Sequence, residues 1–240
     1  MEQFVADLQT RVQTLKNAGI SPTLAILQVG EDPSAANYQA SIVRRADMVG
    51  VAVKNVSLAE TSSVEEVKTA IASLNGDAGV HGILLYLPLP KALRPYEGEI
   101  CACIDPKKDA DCLTEGSAAS VFLEGESGFA PCTAEACVRL LEYYEIPLQG
   151  KTACVVGRSR VIGKPVAMLL LRRNATVTLA HSRTADLAAV TRQADIVIAA
   201  VGKAGLITAD HLKPGAVVVD VGANWIDGKI VGDVRFEEAE

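Results

Sequence analysis

Aromatic side chains are scarce in this 240-residue sequence, at 4% with a single tryptophan. The core must therefore be built from alanine and aliphatic residues, which are abundant, since 49% of the residues are hydrophobic and 22% are charged. Such a composition is ordinary for a globular protein and argues against a disordered chain. No apolar run approaches the roughly 18 residues of a membrane span, and no basic run is long enough to indicate nucleic acid. The length suits two modest domains or one large one.

Metal-binding cysteine motifs are also missing. The six cysteines include no C-x-x-C pair, so no zinc site is predicted and we expect no metal. Cys154 lies within an apolar strand pattern and Cys137 within a helical one, and scattered, mostly buried thiols are typical of a reducing cytoplasm. The opening MEQFVADLQTRVQTLK is amphipathic and of mixed charge, without the apolar stretch of a signal peptide. We therefore expect a cytoplasmic protein.

Two successions of strand and helix patterns predict two α/β lobes. The first reads β-α-β-α-β between residues 23 and 90, and the second begins near residue 151 with four short apolar strands, three of which end at or beside a glycine. Such alternation is typical of parallel sheets with helical crossovers. We predict residues 1–132 as an N-terminal α/β substrate domain and residues 133–240 as a doubly wound, Rossmann-type nucleotide-binding domain, with a cleft between the two lobes.

The stretch VVGRSRVIGKP is similar to a dinucleotide-binding turn, although the usual G-x-G-x-x-G is absent. Gly157 directly follows a strand, where a tight turn needs an unhindered backbone. Gly163 stands where the next helix begins, and the outward N–H groups of a helix start favour an anion. The two glycines by themselves are also compatible with a simple turn between a strand and a helix.

The end of the next strand lacks the acidic residue that holds the ribose 2′-hydroxyl in NAD-binding folds. Ser182 and Arg183 stand there instead, and Arg158 and Ser159 lie in the glycine turn. These side chains suit a 2′-phosphate, because a guanidinium binds phosphate through two parallel hydrogen bonds. The pattern therefore predicts NADP rather than NAD as cofactor. The last 91 residues carry 12 Lys and Arg against 9 Asp and Glu, and the other residues carry 11 against 20, which fits a phosphate-rich ligand or ordinary variation.

Motifs in both halves resemble, in the same order, the methylenetetrahydrofolate dehydrogenase/cyclohydrolase family. The cofactor half has GRSRVIGKP, HSRT, AVGK, KPGAVVVDVG and DGKIVGDV, and the substrate half has VGEDPSAANY, LPLP, DPKKDAD and PCT. The resemblance implies oxidation of 5,10-methylenetetrahydrofolate with NADP in one-carbon metabolism, followed by hydrolysis of the methenyl product to 10-formyltetrahydrofolate. It further implies a tetrahydrofolate derivative as substrate and a homodimer formed through the cofactor lobe, with no nucleic-acid or membrane partner.

The same resemblance assigns site residues. It implies that Asp111 binds the pterin, whose edge offers neighbouring N–H donors to a carboxylate, and that Tyr38 stacks on the benzoyl ring of the folate. The alternatives are a turn residue in an acidic loop for Asp111 and a half-buried helix residue for Tyr38. The residues expected to bind the cofactor are Gly157, Arg158, Ser159, Gly163, Ser182, Arg183, Gly202, Gly222 and Ala223.

Two positions of the substrate half depart from the family pattern. The family has a lysine four residues after the tyrosine, tied to the hydrolytic step, and a glutamine before LPLP that orients it; this chain has Ile42 and Tyr86. Ile42 has no proton to give or take. Arg44 and Arg45 cannot replace the lysine, because they point roughly 200–300° away around a helix and stay protonated. We therefore expect a dehydrogenase with weak or absent cyclohydrolase activity.

Family members continue past FEEAE into a segment P-V-P-G-G-V-G-P-M-T and a last helix, so we expect either a trimmed chain or a site that lacks one wall. Two other functions stay open. One is a non-catalytic folate- or nucleotide-binding paralogue, and the other is an NADP-dependent reductase of another small substrate. Asp111 separates them, because contact with a pterin is compatible with the dehydrogenase and the paralogue only.

Overall fold

The computed structural model describes residues 2–30, 33–125 and 128–240, and for residues 33–38 it describes the backbone alone. The chain divides into two compact units, one built mainly from residues up to Ser117 and the other mainly from Ala130 onward. Each unit has its own parallel sheet, so the predicted two-domain α/β fold is confirmed. The domain boundary after residue 132 and the cleft between the lobes stay predictions. Within the described residues, no helix combines the length and the hydropathy needed to cross a membrane.

The first unit is built on a three-stranded parallel sheet. Its central strand reads TLAILQV, and the successive residues Ala25, Ile26 and Leu27 are buried, as in a strand that is covered on both faces. The strand order is β2-β1-β3, so the chain crosses from one side of β1 to the other. The elements are α1 (Glu2–Asn17), β1 (Thr23–Val29), α2 (Pro33–Val49), β2 (Ala52–Leu58), α3 (Val64–Gly76), β3 (Gly82–Leu85) and α4 (Glu97–Cys101).

Ser63 is the N-cap residue of helix α3. The Ser63 hydroxyl accepts from the Glu66 N–H, and the Glu66 carboxylate accepts from the Ser63 N–H at 2.7 Å. This capping box satisfies two otherwise unpaired donors. The buried face of α3 then packs on the sheet through Val67, Ile71 and Leu74. The largest fully buried side chains of the described chain are all isoleucine or leucine, as the shortage of aromatic residues predicts.

The second unit is built on a four-stranded parallel sheet of order β5-β4-β6-β7. Its central strand β4 carries two buried valines, Val155 and Val156. The chain moves to β5 on one side of β4 and then to β6 on the other, so the strand order reverses at β4. Ligands of open α/β sheets bind at such a reversal, beyond the carboxyl ends of the strands. The elements are α5 (Glu115–Leu123), α6 (Cys132–Tyr143), β4 (Thr152–Val156), α7 (Gly163–Leu171), β5 (Thr176–Ala180), α8 (Leu187–Thr191), β6 (Ile196–Ala199), β7 (Val217–Asp220), β8 (Asn224–Ile226), β9 (Lys229–Val231) and α9 (Phe236–Ala239).

A short antiparallel hairpin, β8 with β9, is absent from the predicted elements. Its two-residue turn is Asp227-Gly228, and both residues have positive φ, 49° and 76°. Asp-Gly between two apolar runs is the usual signal of this turn. The sequence therefore contained the information, in the segment NWIDGKIV.

Candidate functional site

The two glycines of the predicted cofactor turn are required by its packing. Gly157 has φ +136°, and a Cβ there would lie 2.3 Å from the Ala200 carbonyl oxygen. A Cβ on Gly163 would lie 2.4 Å from the Gly157 carbonyl oxygen and 2.7 Å from the Arg158 nitrogen. Real Cβ contacts are not this short, so both positions exclude a side chain. The turn after β4 is therefore bound tightly by neighbouring backbone on two sides, which a simple strand-to-helix turn does not need.

Ser159 lies within this turn and caps helix α7. Its hydroxyl accepts from the N–H groups of Ile162 and Gly163 at 3.1 and 3.2 Å. In the described chain, the main-chain N–H groups of Arg158 and Arg160 make no hydrogen bond, and both arginine side chains are exposed. Within the described residues, the turn therefore presents exposed arginines and main-chain N–H donors without a hydrogen bond just before α7, a donor set that suits a phosphate.

The residues predicted to read the 2′-phosphate lie beside this turn. Strands β4 and β5 are paired with Val156 opposite Ala180, and Gly157 N donates to the Ala180 carbonyl at 2.8 Å. Ser182 and Arg183 follow β5 and are exposed. Their turn is closed by His181 N donating to Thr184 Oγ1 at 2.9 Å and by Thr184 N donating to the His181 carbonyl at 2.8 Å. The structure thus brings the two predicted groups of cofactor residues to one edge of the sheet.

Gly202 lies on the neighbouring loop, after β6, on the other side of β4. Val201 N, Gly202 N and Lys203 N donate to the carboxylate of Asp233 at 2.7, 3.0 and 2.8 Å. Asp233 is fully buried. Asp233 is the aspartate of the VGDV motif, and no local pattern in the sequence indicates this role for it.

Gly222 and Ala223 follow β7 and lie against the same carboxylate. A Cβ on Gly222 would come within 2.5 Å of Asp233 Oδ1, so only glycine fits there. Asp220, the last residue of β7, accepts from Gly222 N at 2.8 Å and from Asp233 N at 3.0 Å. Ala223 is exposed. The predicted residues 202 and 222 are therefore joined through two aspartates that sequence reasoning missed.

In the first unit, the loop DPKKDAD is fixed firmly to its surroundings. Lys108 Nζ donates to three carbonyls at the end of α3, at 2.8 to 3.2 Å. A cation is favourable at a helix C-terminus. The buried carboxylate of Asp109 accepts from Leu113 N and Thr114 N at 2.9 and 2.8 Å. Asp111, predicted to bind the pterin, is carried by this fixed loop and is partly exposed.

The same loop runs parallel to β3. Ile83 pairs with Asp109 in a parallel bridge, with Ile83 N donating to the Lys108 carbonyl and Ala110 N to the Ile83 carbonyl. Tyr86 directly follows β3, and its N–H donates to the Leu27 carbonyl at 2.9 Å. Because Asp111 and Tyr86 lie two and three residues beyond the bridge, the two segments carry them toward the same end of the sheet.

Ile42 lies in α2, half-buried, and Ala46 one turn later is buried. The Ile42 side chain is therefore partly shielded from water. Arg44 and Arg45 are exposed. Tyr38 belongs to the same helix, but its side chain lies outside the described residues, so its predicted stacking role stays a prediction. Among the residues whose side chains the structure describes, a shallow groove beside α2 is lined by others, such as Gln39 and Val43.

Burial raises the pKa of the Cys154 thiol to about 11, and burial also raises the pKa of Cys137. Both thiols therefore stay protonated and unreactive near neutral pH. Asp195 lies before β6, at the amino end of the sheet, opposite the cofactor edge. Hydrogen bonds from Lys213 and Thr152 hold the pKa of Asp195 well below its usual range. These groups are structural, and the candidate chemistry is confined to the carboxyl edges of the two sheets.

The fold and the cofactor edge define a two-domain α/β protein with a dinucleotide-binding unit. The profile of the tetrahydrofolate dehydrogenase/cyclohydrolase catalytic domain matches residues 1–111, and the profile of that family's NAD(P)-binding domain matches residues 131–240. The chain belongs to this enzyme family, so the predicted family is confirmed. The predicted cofactor, NADP, agrees with the matched NAD(P)-binding domain.

Relatives of known name cover most of the chain. The bifunctional protein FolD of Albidiferax ferrireducens is 46% identical over 232 residues, which are 96% of this chain and 80% of the relative. That of Carboxydothermus hydrogenoformans is 44% identical over 237 residues, 98% of this chain and 82% of the relative.

Solved structures agree with these sequence matches. The bifunctional methylenetetrahydrofolate dehydrogenase/cyclohydrolase FolD from Campylobacter jejuni superposes with a TM-score of 0.93 at 39% identity, covering 99% of this chain and 84% of that one. FolD from Trypanosoma brucei, solved with NADP and an inhibitor, has a TM-score of 0.87 at 32% identity and the same coverage. The fold of both units is thus that of the family.

Proposed function

We propose that this protein is an NADP-dependent 5,10-methylenetetrahydrofolate dehydrogenase whose cyclohydrolase activity is weak or absent. Membership of the family and the tightly built cofactor turn support the first part. The observation that carries the second part is the aliphatic side chain of Ile42, at the position that the resemblance assigns to the hydrolytic lysine. The solved relatives are named for both activities, and the resemblance expects a lysine where this chain has Ile42.

The cofactor edge fits a dinucleotide phosphate. Neighbouring backbone leaves no room for a side chain on Gly157 or Gly163, so the turn keeps the tight form that a dinucleotide-binding turn requires. Arg158, Ser182 and Arg183 are exposed on the adjacent strand ends and are the groups that we expect to hold the 2′-phosphate. When bound, NADP supplies the acceptor for the hydride that leaves the methylene carbon.

The residues predicted in the first unit bind and orient the folate substrate. Hydride transfer depends mainly on holding the two reactants close and aligned, which can contribute about 7–11 kcal/mol. Asp111, on its fixed loop, is the carboxylate that we expect to accept the pterin N–H groups, and Tyr38 is the ring that we expect to stack on the benzoyl group. Neither task needs a proton donor at position 42, so the dehydrogenase step survives the change to Ile42.

Hydrolysis of the methenyl product is different, because a water molecule must be activated. A positioned acid or base typically contributes about 10²–10⁴-fold to such a step. Ile42 cannot supply it. Tyr86 stands where the resemblance expects the glutamine that orients the lysine, so the two partners of one task are changed together. This pairing supports loss of the hydrolytic step rather than its transfer to another residue.

The decisive experiment follows NADPH formation and methenyltetrahydrofolate in one reaction with 5,10-methylenetetrahydrofolate. We expect NADP-dependent oxidation with accumulation of the methenyl product, whose decay stays at the spontaneous rate when protein is added. NADP binding without any oxidation would favour the non-catalytic paralogue. Hydrolysis well above the spontaneous rate would contradict the role given to Ile42.

Placing a lysine at position 42 tests whether Ile42 accounts for the expected loss of cyclohydrolase activity. We expect Ile42→Lys to recover part of the cyclohydrolase activity, and Ile42→Lys with Tyr86→Gln to exceed the sum of the single changes, because groups that act together are non-additive. Arg45→Lys is the matched control, since it places a lysine on the exposed side of the same helix and should restore nothing. Melting must accompany each assay, because a half-buried lysine destabilises the fold.

The resemblance also leads us to propose a cytoplasmic homodimer. Light scattering of the purified protein at several concentrations tests the dimer, and a mass equal to one chain at all of them would contradict it.

A further inference from the structure

One buried carboxylate holds a whole loop of the cofactor edge. Besides the three main-chain donors of residues 201–203, Asp233 accepts from Asn224 Nδ2 at 3.0 Å. Asp233 is 0% exposed, and its four donors are neutral amides. Hydrogen bonds to an ionised acceptor are stronger than neutral ones, so this arrangement fixes the conformation of the loop rather than that of one residue.

Asp233 is itself held in place. Asp220 accepts from Asp233 N and from Val234 N, both at 3.0 Å. Ile207 N donates to the Asp233 carbonyl at 2.9 Å, and Arg235 N donates to the Ile207 carbonyl at 2.8 Å. The carboxylate is therefore presented to the loop from a backbone that is anchored on both sides.

The loop occupies a defined place on the cofactor edge. Strand β6 pairs with β4 so that Ala199 lies opposite Val156, and Ala200 at the loop's start abuts Gly157. Ser182 and Arg183 lie on the far side of β4, after β5. A dinucleotide with its 2′-phosphate at β5 and its pyrophosphate at the glycine turn extends its other half toward β6, because dinucleotides cross the sheet where the strand order reverses.

We propose that Asp233 is a positioning residue that shapes the loop of residues 201–203 for the nicotinamide half of the dinucleotide. The inference rests on the proposed function in so far as a dinucleotide phosphate binds this edge. It assigns to Asp233 an action through the loop backbone, without contact with the reacting atoms.

The test compares the affinity for NADP with the affinity for a ligand that lacks the nicotinamide half. Asp233→Asn keeps the shape but turns an NH₂ group toward two of the N–H donors. We expect the Kd for NADP, measured by calorimetry, to rise about tenfold, the effect of one lost charge-assisted hydrogen bond. The Kd for adenosine 2′,5′-bisphosphate, which has no nicotinamide half, should stay within about twofold of the unmodified protein. At saturating NADP, the KM for the folate should not change.

Asp195→Asn is the matched control. This aspartate also accepts from main-chain and side-chain donors, Thr152 N and Thr152 Oγ1, at 2.8 and 2.9 Å, but at the opposite edge of the sheet. We expect it to lower the melting temperature without changing either Kd. Asn224→Ala removes one donor from Asp233 and also a bond from Asn224 Nδ2 to the Val231 carbonyl within the β8–β9 hairpin. It should weaken NADP alone by about two- to fivefold, and it preserves the test if Asp233→Asn does not fold.

Three results would overturn the inference. The first is an Asp233→Asn protein that binds NADP as tightly as the unmodified protein. The second is an equal loss of affinity for NADP and for the bisphosphate, because it would indicate general damage to the second unit. An unmodified protein that binds neither ligand overturns the proposed function as well, so the two failures are distinguishable.

Discussion

Replacing Gly157 with alanine should destabilise the cofactor turn by more than the usual cost of a glycine-to-alanine change at positive φ. The φ of +136° belongs to a region that is open almost only to glycine, and a side chain there costs about 1–3 kcal/mol. The new Cβ would also have to move about 1 Å away from Ala200 O to reach ordinary van der Waals distance. That movement pulls apart two strand ends that are joined by hydrogen bonds.

Loss of those hydrogen bonds accounts for the rest of the expected decrease in the free energy of unfolding. Gly157 N donates to Ala180 O and Ala200 N to Val156 O, both at 2.8 Å, and each contributes about 0.5–1.5 kcal/mol. With the strain, we expect a loss of about 2–6 kcal/mol, or a fall in Tm of roughly 5–20 °C. Because the turn is displaced, NADP affinity should fall by at least about tenfold in the folded protein.

Two further glycines make this prediction refutable. Gly150 has φ +74° and nothing within 4 Å of a Cβ, so Gly150→Ala should cost only about 1 kcal/mol and leave NADP binding intact. Gly163 does not have a positive φ but has equally short contacts, so Gly163→Ala should lose NADP like Gly157→Ala. Melting with and without NADP, together with calorimetric titration at low temperature, measures both effects. A Gly157→Ala protein that melts no lower than Gly150→Ala and binds NADP normally would contradict the prediction.

Three other predictions concern charge and thiols. Arg158→Ala should weaken NADP about ten- to hundredfold and NAD much less, and an equal loss for both in competition titrations would contradict the 2′-phosphate assignment. Lys213 and Thr152 lower the pKa of Asp195 in the folded protein. The ionised carboxylate therefore stabilises the fold at pH values above about 4, the ordinary pKa of an aspartate, and this stabilisation is lost as the pH falls below that value. Urea unfolding should therefore show Lys213→Met less stable than the unmodified protein at pH 7, with a smaller difference at pH 2.5; a constant difference would refute the linkage. Iodoacetamide at pH 8 should label the exposed Cys132 in the native protein and Cys154 only after unfolding, and mass spectrometry that finds rapid native labelling of Cys154 would show that its burial is transient.

Local pattern was enough to predict the two sheets and the glycine turn. Gly157 and Gly163 are predictable because a strand, a turn and a helix start each leave a signature within a few residues. The Asp227-Gly228 turn carries an equally local signature, so the β8–β9 hairpin was within reach of the same reasoning.

The residues that hold the site together were not predictable in this way. Asp233 lies about 30 positions after the loop it binds, and in VGDV it has the form of an ordinary turn residue. The parallel bridge between Ile83 and Asp109 likewise joins segments that no local pattern connects. Such long-range pairing depends on the register of the whole fold. The role that we propose for Ile42 can be inferred only beside the family pattern, because a half-buried isoleucine in a helix is common in any fold.

The distance between residues 203 and 233 has a consequence for biosynthesis. A ribosome adds about 5–20 residues per second, so the loop leaves the tunnel seconds before the aspartate that accepts its N–H groups. During that interval β4, β5 and β6 can already associate, while the loop's donors have water as their partner. The nascent second unit should therefore acquire its sheet before its cofactor edge, and a dinucleotide phosphate could stabilise the new chain fully only after synthesis has passed Asp233.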